Sequence, residues 1–199
     1  MGQVTNSVRA AQPRGTEKRR RLTAAAAQVL HEQGVERTTL ADIARVAGVP
    51  VGNLYYYFKT KDELVQAALS EHVAYLGELT ARLGELPGPL DRLRGLVAAW
   101  VEQRELAARY GCPTGSLASE LGKRGDGTLD AEAGGVIRRL LGWTAEQFRE
   151  AGFDDAEDLA VTLVSGYQGM SLMACALRDP GIMIREGDRL LRWLDGLDA

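Results

Sequence analysis

Between Thr39 and Lys61 the chain reads TLADIARVAGVPVGNLYYYFKTK, and no other stretch limits its fold as strongly. Thr39 carries the hydroxyl that a helix N-cap needs. Asp42, three residues later, can reach back to that cap and meets the positive end of the helix dipole. Leu40, Ile43, Ala44 and Ala47 follow as one apolar stripe at helical spacing, and Gly48 supplies the left-handed backbone on which helices commonly end. After this turn Pro50 suits a first helical position, because its missing N–H would be unpaired there in any case. A second helix is therefore expected from Pro50 to about Phe58, with Leu54 and Phe58 inward. Val51, Gly52, Asn53, Tyr55, Tyr56 and Tyr57 fall mostly on its other faces, and three consecutive tyrosines cannot all enter a core.

That surface has the composition groove binding asks for. Phenolic hydroxyls and Lys61 can bond phosphates, Gly52 permits close backbone approach, and Asn53 or the Val51 methyls can meet base edges. The pair reads as a helix-turn-helix. The competing reading is a structural helical hairpin with a wet aromatic face.

Gly48 to Leu64, GVPVGNLYYYFKTKDEL, resembles the DNA-binding signature of the tetracycline-repressor (TetR) family of bacterial regulators. There a glycine-valine turn leads into a recognition helix that ends in an LY-aromatic-aromatic-F run and then a lysine. The resemblance covers roughly Thr16 to Leu69. It implies an all-helical homodimer with an N-terminal three-helix DNA-binding domain and a larger helical domain that binds a small inducer. Carried over residue by residue, Thr39, Val51, Gly52, Asn53, Tyr55, Tyr56, Tyr57 and Lys61 stand where the family contacts operator DNA. This chain departs from the pattern twice. Tyr57 stands where His is frequent, and Pro50-Val51 stand where many members have Ser-Lys, so one charged contact is missing and the base preference does not carry over.

The net charge of −3 argues against a nucleic-acid protein only while the chain is taken whole. Residues 1–61 hold ten Lys and Arg against four Asp and Glu, a net of +6, and the remainder carries −9. The basic part is the helix-turn-helix part. With 199 residues, 45% of them hydrophobic, the chain has the length for a headpiece and one regulatory domain. Two cysteines, Cys112 and Cys175, and no apolar signal-like core in Met1 to Gly15 point to a reducing cytoplasm. The longest apolar run, about Leu159 to Leu177, is interrupted by Ser165, Gly166, Gln168 and Gly169. It reads as a buried helix rather than a membrane span.

In chain order, residues 1–15 read as a disordered basic arm. Arg9 and Arg14, with Lys18, Arg19, Arg20 and Arg21, either reach phosphates or a minor groove or simply form a solvated helix start. The headpiece is expected over 16–61, with a first helix from Thr16 to Gln33 that Gly34 ends. The ligand-binding and dimerisation domain is expected over 62–199. Thr60 with Glu63 opens a long helix, Lys61 to Leu83, linking the two. His72 on it reads as a packed or half-exposed histidine rather than a ligand. Helices follow at Leu90 to Tyr110, a short one after the Gly-Cys-Pro break at 111–113, Ala131 to Glu150, Asp155 to Leu177 behind Asp154 and Glu157 as caps, and Met183 to Leu197. A mobile loop, Gly122 to Gly127, lies among them. The final two helices carry more apolar surface than one domain can hide. They resemble the family's four-helix dimer interface, against the alternative of packing within the domain alone.

Enzyme chemistry finds little support. No Gly-x-Ser-x-Gly elbow, dinucleotide fingerprint or phosphate loop with its lysine is present. His31, His72, Cys112 and Cys175 are too scattered for a metal, and no cofactor is implied. Cys112, one residue before Pro113, is open to two readings. It is either a buried junction residue or a thiolate activated by the following helix N-terminus, which would make the chain a redox or electrophile sensor. Cys175 is expected in the core. The expectation is thus an all-α, ligand-responsive homodimeric regulator, a repressor on a palindromic duplex operator. Its candidate pocket residues are Tyr75, Trp100, Tyr110, Cys112, Trp143, Phe148, Tyr167 and Met170, aromatic and soft side chains facing one interior.

Overall fold

A computed structural model describes residues 14–125 and 127–197; the expected basic arm lies almost wholly outside them. The described residues form ten helices: α1 (Arg14–Arg37), α2 (Leu40–Ala47), α3 (Val51–Tyr57), α4 (Lys61–Gly84), α5 (Pro89–Glu102), α6 (Arg104–Tyr110), α7 (Pro113–Arg124), α8 (Leu129–Glu150), α9 (Ala156–Leu177) and α10 (Gly181–Leu197). No strand occurs among them. The chain is all-α, with the helix-turn-helix at its N-terminal end.

Two apolar cores organise these helices. In the first, Leu22, Ala25, Ala26, Val29 and Leu30 of α1 meet Ile43, Ala44 and Ala47 of α2, Leu54 and Phe58 at α3, and Leu64, Val65, Ala68 and Leu69 of α4. Leu117 and Leu121 of α7 and Leu129, Ala133 and Val136 of α8 also belong to it, so two helices far along the chain help to form the floor of the headpiece. The second core joins the distal half of α4 to α5, α6, α8, α9 and α10 around Leu93, Leu96, Phe148, Leu163 and Met183. Helix α10 can approach α5 closely because Gly187 has no side chain: a Cβ there would stand 2.4 Å from Val101 Cγ2.

Several element ends differ from the sequence pattern, each for a local reason. Pro50 is the N-cap of α3 rather than its first residue; with ψ at 138° it is still extended, and its carbonyl accepts from the Asn53 N–H at 2.9 Å. The expected helix Leu90 to Tyr110 is two helices broken at Gln103, where φ −83° and ψ 7° leave the helical region without any Gly or Pro to signal it. Helix α7 runs on through Gly122 to Arg124, so the loop there is shorter than expected. Helix α8 begins two residues earlier than expected, at Leu129. The N-cap of α9 is Asp155 rather than Asp154, and it makes no side-chain cap bond, while the Glu157 carboxylate in the first turn pairs with Arg149 at 2.5 Å. Helix α10 starts at Gly181, two residues before the expected Met183, since Asp179 Oδ1 accepts from the Gly181 N–H at 2.8 Å.

Candidate functional site

The helix-turn-helix is fastened before any DNA is considered. At the start of α2, Asp42 Oδ2 accepts from the Thr39 N–H at 3.1 Å and Thr39 Oγ1 accepts from the Asp42 N–H at 3.2 Å. These hydrogen bonds from Thr39 hold the Asp42 carboxyl below its ordinary range. At the other end Gly48 lies in the left-handed region, φ 62° and ψ 39°, and the Val49 N–H returns to Ala44 O at 2.9 Å. The sequence left Arg21 open between a phosphate-reaching group and a solvated helix start; in the structure it is neither, for its guanidinium caps α2 by donating to the carbonyls of Ala47 and Gly48. Arg19 lies over the Phe58 ring at 4.7 Å and Arg20 pairs with Glu17 at 2.8 Å. The basic start of α1 is thus partly committed inside the headpiece.

On this frame α3 shows the face the tyrosine argument requires. Leu54 is fully buried, while Val51 is 40%, Tyr55 48% and Tyr56 78% exposed. Gly52 and Asn53 are also exposed, and nothing stands within 4 Å of where a Gly52 Cβ would be. Tyr57 differs from its neighbours: it is half-buried against the headpiece core and meets the Tyr56 ring edge-on at 5.2 Å. Thr39 is exposed, but its hydroxyl already donates to Asp42 Oδ2 at 2.6 Å. Lys61 Nζ donates to Glu36 O at 3.3 Å, which ties it to the end of α1.

The second feature is a cavity of about 330 Å³ where α1, α4, α5, α6, α7, α8 and α9 converge. Of the eight expected lining residues it brings together four: Tyr75, Trp100, Cys112 and Tyr167. Trp100 and Tyr167 stack at 4.3 Å with planes 13° apart and form one wall. The other four lie elsewhere. Phe148 and Met170 are closed into the second core, Trp143 packs half-buried against that core, and Tyr110 meets the His31 ring edge-on at 5.5 Å outside the lining. Aromatic residue type alone does not tell which side of a helix faces a void.

Sequence reasoning missed the polar lining: Gln28, His31, His72, Gln103, Thr114 and Gln168. No Asp, Glu, Lys or Arg joins them among the described residues. His31 Nε2 donates to Gly111 O at 2.9 Å. Burial lowers its pKa below the ordinary imidazole range and outweighs that bond. His72 has no hydrogen-bond partner among the described residues, and burial, with His31 nearby, lowers its pKa to about 4. Both rings are therefore neutral near pH 7. Burial, with Cys112 beside it, pushes the Tyr167 phenol well above its usual range, so it too stays neutral. Cys112 is buried as the N-cap of α7, its sulfur accepting from the Gly115 N–H at 3.3 Å and from Gln168 Nε2 at 3.6 Å. Cys175 is half-buried rather than a core residue.

The outer side of α9 carries Val161, Leu172, Met173 and Leu177, all more than half exposed, with Ser165 and Gly169 between them. By length and composition α9 is apolar enough to cross a membrane despite the four interruptions, but its opposite side, Leu163, Val164, Met170 and Ala174, is built into the protein core. Met170, next to the exposed Gly169, points inward at 2% exposure.

Two family descriptions match separate stretches of the chain. Residues 22–68 match the family described as bacterial regulatory proteins, tetR family, and residues 89–187 match the C-terminal domain of LmrA/YxaF-like transcriptional regulators. An uncharacterized HTH-type transcriptional regulator of Mycobacterium tuberculosis is 31% identical over 169 residues, covering 81% of this chain and 86% of that protein. The HTH-type transcriptional repressor KstR2 of Mycolicibacterium smegmatis is 35% identical over 89 residues, 44% of this chain and 43% of that one. A crystal structure of the regulatory protein TetR from Rhodobacter sphaeroides superposes with a TM-score of 0.75 at 28% identity, over 87% of this chain and 96% of that chain. With the capped helix pair, the tyrosine face and a matching C-terminal half in one chain, the protein belongs to the TetR family of DNA-binding transcriptional regulators.

Proposed function

We propose that the protein is a homodimeric repressor that leaves a palindromic operator when a small molecule enters the cavity bounded by Trp100 and Tyr167. The observation that carries this reading is the pairing, in one chain, of an exposed α3 face with a cavity whose wall includes α1, the first helix of the headpiece. Val51 and Asn53 read base edges; Tyr55, Tyr56 and Lys61 bond phosphates, Lys61 exchanging its Glu36 contact for one. Gly52 allows close approach, and Tyr57 and Thr39 support the helix pair from its edges. The outer side of α9, with α10, pairs with its symmetry mate. Two recognition helices can then enter successive major grooves about 34–36 Å apart. A ligand that favours a different spacing empties the operator only to the extent that it binds that state more tightly. The expected home is the cytoplasm, and the expected action is binding rather than catalysis.

The test is to select duplexes from a random library with the wild-type protein, then titrate the complex with a library of uncharged aromatic and aliphatic compounds. Dyad-symmetric selected sites and release by a compound that quenches Trp100 fluorescence are expected. Selected sites without dyad symmetry would overturn the palindromic reading. A second reading, a thiol switch at Cys112, is favoured by one observation: its sulfur lines the cavity at the N-terminus of α7.

A further inference from the structure

The lead from α1 into α2 is held from outside the headpiece. At Gly34 the backbone turns to φ 79° and ψ 169°, and residues 35–37 form a new turn beyond the kink. The first N–H groups of such a turn have no carbonyl one turn back to bond. A single carboxylate takes two of them: the Val35 N–H donates to Glu120 Oε2 and the Glu36 N–H to Glu120 Oε1, each at 2.8 Å. Gly34 serves this contact twice over, since its φ suits glycine and a Cβ there would stand 2.8 Å from Glu120 Oε2. The turn so held leads straight into the recognition unit. Thr38, 1% exposed, donates to Gly34 O at 2.7 Å, Thr39 caps α2, and Lys61 Nζ donates to Glu36 O.

Glu120 sits on α7, and the other end of α7 is cavity wall: Gly111, Cys112, Pro113 and Thr114 line the void. From Pro113 to Glu120 is about 10 Å of helix. Its inner side, Leu117 and Leu121, is packed into the headpiece core, so the helix is braced along its length. Helix α1 touches the same junction through His31, whose ring donates to Gly111 O and itself lines the cavity.

We propose that Glu120 is a positioning residue for the DNA-binding headpiece: its carboxylate fixes the angle at which α2 and α3 leave α1, and carries any displacement of α7 at the cavity to them. This route is additional to α4. The positioning half stands on the two hydrogen bonds alone. The transmission half rests on the reading of the cavity as the ligand site.

The test uses full-length protein and a duplex selected by the wild type. Glu120→Ala and Glu120→Gln remove the same negative charge, and charge loss alone would strengthen binding to phosphates. The expected result is the opposite. Glu120→Ala should bind the duplex roughly tenfold or more weakly, and Glu120→Gln, which keeps one acceptor oxygen, should lose less. Amide hydrogen exchange at Val35 and Glu36 should speed up in Glu120→Ala while α7 keeps its protection, a pattern that loss of α7 structure would not give. Should Glu120→Ala fold poorly, Glu120→Gln carries the test through faster exchange at one of those two amides. Duplex affinity of Glu120→Ala within about twofold of wild type, or unchanged exchange at both amides, would overturn the positioning role. For transmission, Ala99→Phe fills the cavity from α5 without touching the clamp. It should shift duplex affinity in the wild-type background and shift it less beside Glu120→Ala. An equal shift in both backgrounds overturns transmission and leaves positioning standing. No shift in either overturns control from the cavity, and transmission with it.

Discussion

The helix pair at the N-terminal end and the cavity behind it are assembled in opposite ways. Residues 39–61 carry cap, stripe, turn, proline and tyrosine face in succession, and the hydrogen bonds that α2 and α3 themselves make reach no farther than α1 and the start of α4; only the lead into α2 is held from farther off, by Glu120. The cavity takes its walls from seven helices spread from Ala27 to Gln168, and none of its lining segments describes it alone. The outer face of α9 is less complete still, since Leu172 is 69% exposed. Local completeness makes a part transferable between proteins, whereas distributed parts are free to change with the ligand.

The largest expected effect tests the least complete surface. A charge at Leu172 leaves the isolated chain unharmed, because that side chain faces outward, but would be desolvated against its own symmetry mate in a dimer. Leu172→Asp should sediment as a monomer and lose about 10²-fold or more in operator affinity, as two linked half-sites become one. Gly169→Asp should do the same. Met170→Asp should instead unfold the second core, since Met170 is closed inside it. A wild-type monomer at micromolar concentration would remove the basis for both.

Next in size is a contrast within α3. Leu54 is fully buried, so Leu54→Ala should cost about 2–5 kcal/mol and lower the thermal midpoint. Tyr56 is 78% exposed, so Tyr56→Ala should change stability by less than about 0.5 kcal/mol yet weaken specific and random duplexes alike and flatten the salt dependence. Equal thermal shifts for the two would mean that the two faces of α3 are wrongly assigned.

This contrast also marks what was legible in the sequence. The α3 face could be read because residues one to four apart on one short helix fix each other's direction: with Leu54 and Phe58 inward, Tyr55 and Tyr56 must be outward. Tyr57 was harder, because at the last turn of α3 it packs half-buried against the headpiece core. The cavity was half legible. Tyr75, Trp100, Cys112 and Tyr167 were found from residue type, whereas Phe148 and Met170 have the same chemistry and fill the neighbouring core. Which of two equally apolar positions faces a void depends on helix rotation within a bundle, and no local spacing encodes that. His31 and His72 were set aside for lack of a metal spacing, yet the topology sets both rings on one wall. The break at Gln103 had no Gly or Pro to announce it, and Glu120 stands 85 residues after the Val35 N–H that it holds.

A smaller effect separates cavity from headpiece by pH. The folded protein holds His72 at a pKa of about 4, below its ordinary 6.5, and lowers His31 in the same direction. Below pH 6.5 the unfolded chain takes up protons that the folded one refuses, so this contribution to stability is complete above about pH 6.5 and falls away as pH drops toward 4. Denaturant midpoints of wild type should therefore decline over that window, and His72→Gln should flatten the decline. Tyr56→Ala, on α3 and outside the cavity lining, should leave it unchanged. A His72→Gln curve parallel to wild type would show that the ring is not held neutral by the fold.

The smallest expected effect concerns the residue on which the two switching mechanisms divide. Cys112 caps α7 through a weak N–H to sulfur contact and lines the cavity, so Cys112→Ser keeps nearly the same volume and offers the Gly115 N–H a better acceptor. Stability should shift by less than about 1 kcal/mol. A reversible ligand should release DNA from this variant as it does from wild type, because the cavity is intact. An oxidant or electrophile could not act through it, since a hydroxyl forms neither a sulfenic acid nor a thiolate adduct. Cys175 is a sharper control than a core cysteine would be: it is half-buried and absent from the cavity lining, so Cys175→Ser removes the other thiol without altering the void. The expected outcome is that both variants release DNA with an uncharged cavity ligand at wild-type concentrations, and that a mild oxidant distinguishes neither from wild type. Oxidant release present in wild type and Cys175→Ser but lost in Cys112→Ser would make the α7 N-cap the sensor. The cavity would then be the passage by which the oxidant reaches its sulfur.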